Sequence, residues 1–407
     1  MSGTRRRVVV TGLGVVSAVG STVEHFWESL VTGRSGVRPI PSCPDLVAAS
    51  VDFNAEAHFT RMQLTTLDRF AQFALVAAGE AIEQAALVGR VSSARAGVYF
   101  GSGIGGAGAI ERSYRAFLDP AQGRVAPMTV VLTMANAAAA HISLRYGLRG
   151  PTLTYSVACA SAAVAIGEAF RAIRDGYIDL AVAGGAEALL VGCSLASWSA
   201  MRVMAAPDPD HPDRSCRPFA QSRTGLVLGE GAGTIVLESL EHAQARGALP
   251  LAELAGYGIA SDASHLAKPL AEGQAAAILN ALADAQLPPE TIGYINAHGT
   301  ATVAGDIVET ESIKLAFGDR ARGLCVSSTK ALHGHLLGAS GAVELIAAIM
   351  ALRTRTIPPT AHLDRVDPGC DLDYVPNFAR VADGLEAVMS NSFAFGGTNA
   401  VLIARRI

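Results

Sequence analysis

The sequence predicts an α/β fold built as two similar halves sharing one core. Three observations carry this. An apolar strand, a glycine turn and a helix recur along the chain. Half of the residues are hydrophobic but only 6% are aromatic, so Ala, Val, Gly and Leu must fill closely packed helix and strand layers. Finally, a strand ending at Cys159 and followed by a helix is echoed by a strand ending near Ser328. There a glycine-rich loop follows, and Ser340-Gly341 opens a helix. At 407 residues the chain can form two domains or one large fused unit, and the echo places a boundary near residue 250.

The elements follow in order. Residues 7–11 read as a buried strand, 23–32 as a helix with Trp27 and Leu30 on one face, and 68–86 as a long helix. Residues 97–100 form a strand entering a glycine loop, and 135–146 a helix ending near Gly147. A strand over 151–157, the Cys159 turn, a helix over 161–173 and a strand over 180–183 come next. The proline-rich stretch 207–218 is a surface loop, followed by a strand over 233–238. The second half has strands over 251–259, 292–297 and 324–328, with helices over 272–285 and 341–353.

Bulk properties exclude several classes. A formal charge of −4 with no basic stripe argues against nucleic-acid binding. Cys43, Cys159, Cys193, Cys216, Cys325 and Cys370 form no C-x-x-C pair, so neither a metal site nor a redox dithiol is expected. Their scatter fits a reducing cytoplasm. Arg5-Arg6-Arg7 before Val8-Val9-Val10 imitates a signal peptide, but Gly12, Gly14 and Gly20 interrupt the run. No stretch of about 20 uninterrupted apolar residues occurs. Leu180 to Trp198 comes closest and carries Glu187, so no membrane span is expected.

Five motifs bear on chemistry. Ser156-Val157-Ala158-Cys159-Ala160-Ser161 places a cysteine at a strand-to-helix turn, where the helix dipole lowers a thiol pKa. A cysteine alone is more often a small buried apolar residue. Gly101-Ser102-Gly103-Ile104-Gly105-Gly106 matches G-x-G-x-x-G, but no second strand follows at the distance a dinucleotide site needs. A loop packed closely beside a cavity is the plainer reading. Asn296-Ala297-His298-Gly299-Thr300-Ala301-Thr302 delivers a histidine to a strand end, with two hydroxyls suited to a polar, extended ligand; a structural histidine is the alternative. Lys330 and His335 share a glycine-flanked loop, as functional groups often do, though a solvated lysine and a capping histidine fit too. Phe393-Ala394-Phe395-Gly396-Gly397 fits a gate or simple core packing. Together, a thiol to accept an acyl group, two imidazoles to stabilise an oxyanion and an ammonium to fix them make a coherent set.

With these motifs in order, the chain resembles the elongating β-ketoacyl-ACP synthases of the thiolase superfamily, both the ketosynthase II type and the type II polyketide ketosynthase subunits. The resemblance runs from Val9-Val10-Thr11-Gly12-Leu13-Gly14 through Val182-Ala183-Gly184-Gly185-Ala186-Glu187 and Gly229-Glu230-Gly231-Ala232-Gly233 to Phe395-Gly396-Gly397-Thr398-Asn399. It implies a thiolase-like fold: two duplicated halves, 1–250 and 251–407, in a five-layer α-β-α-β-α core. It implies that Cys159 carries the acyl chain, that His298 and His335 bind the malonyl thioester carbonyl, and that Lys330 supports them. The backbone N–H groups of Cys159 and Phe395 would form the oxyanion hole. Thr300 and Thr302 would meet the phosphopantetheine arm, and Ile104 and Phe395 would gate the acyl pocket. Arg124 and Arg202 would dock the acyl carrier protein. No metal or other cofactor is implied. The expected partners are the carrier protein and a second subunit, in a homodimer or a heterodimer with a chain-length-factor-like chain.

The chain departs from the fatty-acid pattern at several positions. Ala394 replaces a glycine, Thr224 and Leu226 replace Asp and Phe, and Thr129 replaces a phenylalanine. His333 replaces a small hydroxyl residue, and Thr65 and Thr66 fall near positions that are basic in the fatty-acid enzymes. These departures favour a type II polyketide or polyene pathway over housekeeping fatty-acid synthesis. A non-catalytic partner subunit is opposed by the intact Cys159, and a dinucleotide-binding oxidoreductase rests on the glycine loop alone.

Overall fold

The computed structural model describes residues 5–41, 43–89, 93–121 and 123–407. Ten strands form the main sheet. They are β1 (Val8–Val16), β2 (Ala96–Gly101), β3 (Thr152–Tyr155), β4 (Leu180–Glu187), β5 (Gly231–Ser239), β6 (Ala252–Ser261), β7 (Ile292–Asn296), β8 (Cys325–Ser327), β9 (Ala387–Phe393) and β10 (Thr398–Arg405). Their spatial order is β8-β7-β9-β10-β6-β1-β5-β4-β2-β3. The first five strands in sequence and the last five thus occupy separate halves of the sheet. A short antiparallel ladder between Val8–Val10 of β1 and Ala252–Leu254 of β6 joins them.

The helices that matter are α1 (Val23–Thr32), α2 (Arg69–Gln84), α3 (Ala107–Leu118), α4 (Ser161–Arg174), α5 (Ala271–Ala285), α6 (Val303–Phe317) and α7 (Ser340–Thr354). The helix α7 is apolar almost all round, as a helix covered on every side must be, while α4 is buried along most of its length and carries Glu168, Arg171 and Arg174 on its remaining face. The two helices form a shared inner layer whose core takes residues from both halves of the sheet. One outer core forms beneath α2 and another beneath α5 and α6. Five layers result. Glycines permit the close approaches: a Cβ at Gly14 would lie 1.9 Å from the Ala77 carbonyl oxygen, and one at Gly258 would lie 2.1 Å from that of Ala277.

Among the described residues, one helical stretch, Leu337–Thr354, is long and apolar enough to cross a membrane, and 83% of it is buried inside the fold. It is the α7 core helix and its lead-in. The helix α3 opens directly on the glycine loop, a feature the sequence reading left out.

The layering sets the site. β3 ends just before Cys159, and α4 starts just after it; β7 ends just before His298; β8 and α7 flank the segment carrying Lys330 and His335.

Candidate active site

Cys159 sits on a strained turn. Ala158 adopts φ 44°, a left-handed conformation that non-glycine residues rarely hold. Ser161 stabilises it: its Oγ accepts from Val157 N–H at 2.9 Å and donates to the Ala158 carbonyl at 2.7 Å. The turn aims Sγ into a cavity of about 380 Å³ lined by Cys159, His298, His335, Thr300, Thr302 and Phe395 among others.

The histidines lie close by. His335 Nε2 is 3.1 Å from Cys159 Sγ, and the His298 ring stands edge-on to that of His335, centroids 5.3 Å apart. Hydrogen bonds decide their tautomers. Leu337 N–H donates to His335 Nδ1 at 3.3 Å, so the ring proton of His335 sits on Nε2. The Lys330 ammonium faces His298 Nδ1 at 3.4 Å and donates to the His298 carbonyl at 2.6 Å, so His298 also carries its proton on Nε2. Burial and then the Lys330 charge hold both imidazoles well below their usual range, hence neutral. Two neutral imidazoles thus supply N–H donors to one cavity.

The thiol corrects an expectation. Burial outweighs the Lys330 charge and the Phe395 N–H bond and pushes Cys159 up to about 11 rather than down. At neutral pH the resting group is a thiol.

Buried acids that sequence reasoning missed hold this arrangement. Glu309 accepts from His298 N–H at 2.8 Å and Gly299 N–H at 2.7 Å. Glu344 forms a buried ion pair with Lys330. Their signal was legible: Glu344 stands alone in the apolar run Gly341 to Leu352, where a charge needs a partner. Glu187 also explains the glycine loop. Its carboxylate accepts from Gly103 N–H at 2.6 Å and Ile104 N–H at 3.4 Å, occupying donors that a pyrophosphate would require. The departure His333 is likewise buried: its ring nitrogens lie 2.9 Å from Thr329 Oγ1 and 2.8 Å from the Gly334 carbonyl.

The structure brings Cys159, His298, Lys330, His335 and Phe395 together. Thr300 and Thr302 line the same cavity, their hydroxyls 3.0 Å apart, and so does the exposed Arg202. Ile104, Thr129 and Arg124 do not line it. Ile104 is half exposed on the glycine loop, Thr129 bonds Ser113 at 3.1 Å, and Arg124 is exposed. Phe395 stacks on Trp198, centroids 6.0 Å apart, and Gly396 N–H donates to the Leu266 carbonyl at 2.7 Å.

Among the described residues, one group of side chains has the donors for a cation. Ligand atoms of Cys159, His298 and His335 lie within 4.8 Å of one another, a zinc-type set, but the adjacent Lys330 ammonium opposes a dication there.

Family models decide the assignment. The β-ketoacyl synthase N-terminal domain matches residues 5–243 and the C-terminal domain matches 251–364. The chain belongs to the β-ketoacyl synthase family. It is 42% identical to 3-oxoacyl-[acyl-carrier-protein] synthase 2 of Coxiella burnetii, over 99% of each chain. It is 45% identical to nodulation protein E of a Rhizobium species, over 99% of this chain and 100% of that one. Among solved structures, the ishigamide ketosynthase/chain length factor superposes with a TM-score of 0.92 at 35% identity, covering 99% of this chain and 100% of that one. A β-ketoacyl synthase from Burkholderia phymatum does so with the same TM-score and coverage at 39% identity.

Proposed function

We propose that the protein is a β-ketoacyl-ACP synthase in which Cys159, His298, Lys330 and His335 carry the decarboxylative condensation. The single observation that carries this reading is the convergence of two imidazole Nε2–H donors on one thiol in one cavity.

Acyl transfer comes first. Cys159 attacks the thioester of an acyl carrier, the new S–C bond forms, and the carrier sulfur leaves with the proton of the Cys159 thiol. The N–H groups of Cys159 and Phe395 bind the oxyanion. A malonyl thioester then enters, and its carbonyl oxygen takes the Nε2–H bonds of His298 and His335. Its carboxylate leaves as CO₂, and the electron pair moves onto that carbonyl as an enolate. Neutral imidazoles suit this role because they donate without protonating the enolate outright. The enolate carbon attacks the Cys159 thioester, the C–C bond forms and the thiolate is expelled. Lys330 holds His298. Thr300 and Thr302 hydrogen-bond the pantetheine arm, Phe395 gates the acyl chain at the cavity wall, and Arg124 and Arg202 receive the acidic carrier. The carrier arm brings an activated thioester, so the chemistry asks for no resident metal or redox cofactor.

In this reading residues 1–250 supply the nucleophile and 251–407 the His/Lys/His set. The pathway is a type II polyketide or polyene one, supported by Leu226 and Ala394, which line the cavity. A chain-length-factor-like subunit or a second copy is the partner, and the cytoplasm is the compartment, in keeping with six free cysteines. The 42% identity to a 3-oxoacyl-[acyl-carrier-protein] synthase 2 favours fatty-acid elongation as the second reading. Incubation with acyl-carrier and malonyl-carrier proteins should release CO₂ and yield a 3-oxoacyl carrier two carbons longer. Absence of both products would overturn the reading. Copurification of a cysteine-less ketosynthase-like chain supports the polyketide assignment, and a homodimer that elongates saturated acyl chains supports the alternative.

A further inference from the structure

The reaction as written leaves Glu187, beside the site, without a task. Glu187 ends β4, is fully buried, and has no ion-pair partner among the described residues. Its carboxylate gathers two separate pieces of chain. Oε2 accepts from Gly103 N–H at 2.6 Å and Gly338 N–H at 3.0 Å; Oε1 takes Ser102 Oγ at 3.2 Å and Ile104 N–H at 3.4 Å. Only residues without a Cβ allow this closure. A Cβ at Gly338 would lie 2.5 Å from Oε2 and 2.4 Å from Gly103 N, and one at Gly103 would lie 2.7 Å from Oε2.

Each piece leads to a reacting group. On one side the glycine loop is tied to the strand before the nucleophile. Ser102 N–H donates to the Tyr155 carbonyl at 3.1 Å, and Ser156 Oγ donates to the Gly103 carbonyl at 3.0 Å. On the other side Gly338 follows Leu337, a branched residue held at φ 48°. That conformation persists only where the surroundings over-determine it. The anchored Gly338 peptide holds Leu337 in place, and Leu337 N–H thereby meets His335 Nδ1 at 3.3 Å. Ser340 Oγ lies 2.9 Å from the same nitrogen and can donate to it once the Leu337 N–H has fixed Nδ1 as the acceptor. With Nδ1 accepting, the proton must sit on Nε2, 3.1 Å from Cys159 Sγ.

We propose that Glu187 is a positioning residue that fixes the tautomer of His335, acting through Gly338 and Leu337. The inference rests on the condensing reading above. It assigns the G-x-G-x-x-G loop a role in that reaction: a frame that closes around an internal carboxylate.

The test is the imidazole ¹⁵N spectrum of the full chain labelled at histidine, with the His335 signals assigned by their loss in His335→Gln. Wild type should show His335 protonated at Nε2 and bare at Nδ1. Glu187→Gln leaves one acceptor oxygen where the carboxylate has two, and sets an NH₂ against backbone N–H donors. It should mix the two tautomers and slow decarboxylation of the malonyl carrier, the step that uses the His335 Nε2–H, by about 10²-fold or more, as a wrong tautomer does in other enzymes, while KM for the malonyl carrier changes by about twofold or less. Glu187→Asp should shift both readouts in the same direction, and Ser102→Ala, which leaves the Gly338 bond intact, should leave the His335 spectrum unchanged. An Nδ1-protonated His335 in wild type overturns the proposal. So does a folded Glu187→Gln with an unaltered His335 spectrum, or a loss confined to KM. Failure of both Glu187 variants to fold marks the residue as structural and also ends it. The spectrum does not depend on turnover. A wild-type enzyme that never acylates Cys159 therefore defeats the condensing reading and leaves the tautomer result to be judged alone.

Discussion

The turn that carries Cys159 and the platform that carries His298, Lys330 and His335 are held in opposite ways. The cysteine turn rests on backbone strain at Ala158 and on the hydroxyl of Ser161. The platform rests on buried carboxylates: Glu309 grips the His298 and Gly299 amides, Glu344 pairs with Lys330, and Glu187 anchors Gly338. The difference follows from what each part must do. A nucleophile needs a position, which chain geometry can supply. Two imidazoles acting as donors need a fixed tautomer and ring orientation, and only directional partners supply those.

This contrast can be broken at several points, from the largest effect down. Cys159→Gln should abolish condensation, read as loss of the 3-oxoacyl product, while the platform still decarboxylates malonyl-carrier. If CO₂ release vanishes too, the two regions are not separable. Glu344→Leu leaves Lys330 charged and unpaired in the core, and should cost about 3–5 kcal/mol in denaturant unfolding. An unchanged midpoint would remove the acid from its supporting role. His298→Ala should lower malonyl-carrier decarboxylation by about 10²–10³-fold, the usual loss of one oxyanion donor.

The thiol sharpens the comparison through pH. A group raised to about 11 is protonated at neutral pH, so its reactive thiolate fraction grows as pH rises. Alkylation of Cys159 in the free enzyme should therefore climb about tenfold per pH unit between pH 7 and 10. A rate flat above pH 7 would mean a thiolate already present and a turn more activating than its burial allows. The smallest effect belongs to the cavity wall: Thr300→Val should raise KM for carrier substrates by about 3- to 10-fold, one hydrogen bond's worth, with kcat unchanged.

Much of this was legible in the sequence because the site sits where regular elements end. The 23–32 helix, the 161–173 helix and the 292–297 strand fall on Val23–Thr32, Ser161–Arg174 and Ile292–Asn296. Cys159, His298, Lys330 and His335 all stand on turns beside such elements, so reading the strands located the chemistry. The family resemblance added the roles.

What stayed hidden has two physical causes. First, α6 was missed because its buried face carries Asp306, Glu309, Thr310 and Ser312, so the apolar stripe that marks a helix is broken by polar groups, among them Glu309, which braces His298. Second, the Cys159 thiol was expected to be lowered by its helix start. Burial depends on the layers packed above it, and no local pattern encodes that. Glu187 and Glu344 show the reverse case. A lone acid in an apolar run is visible in sequence, but its partner, whether an amide cluster or Lys330, appears only in three dimensions.

The central claim is that Cys159 carries the growing chain and the platform does not. Intact-protein and peptide mass spectrometry after incubation with an acyl-carrier protein tests it most directly. One acyl mass on the peptide containing Cys159, absent in Cys159→Gln, is the predicted result. Full condensing activity with Cys159 unmodified, or acyl mass on exposed Cys193 instead, would contradict it.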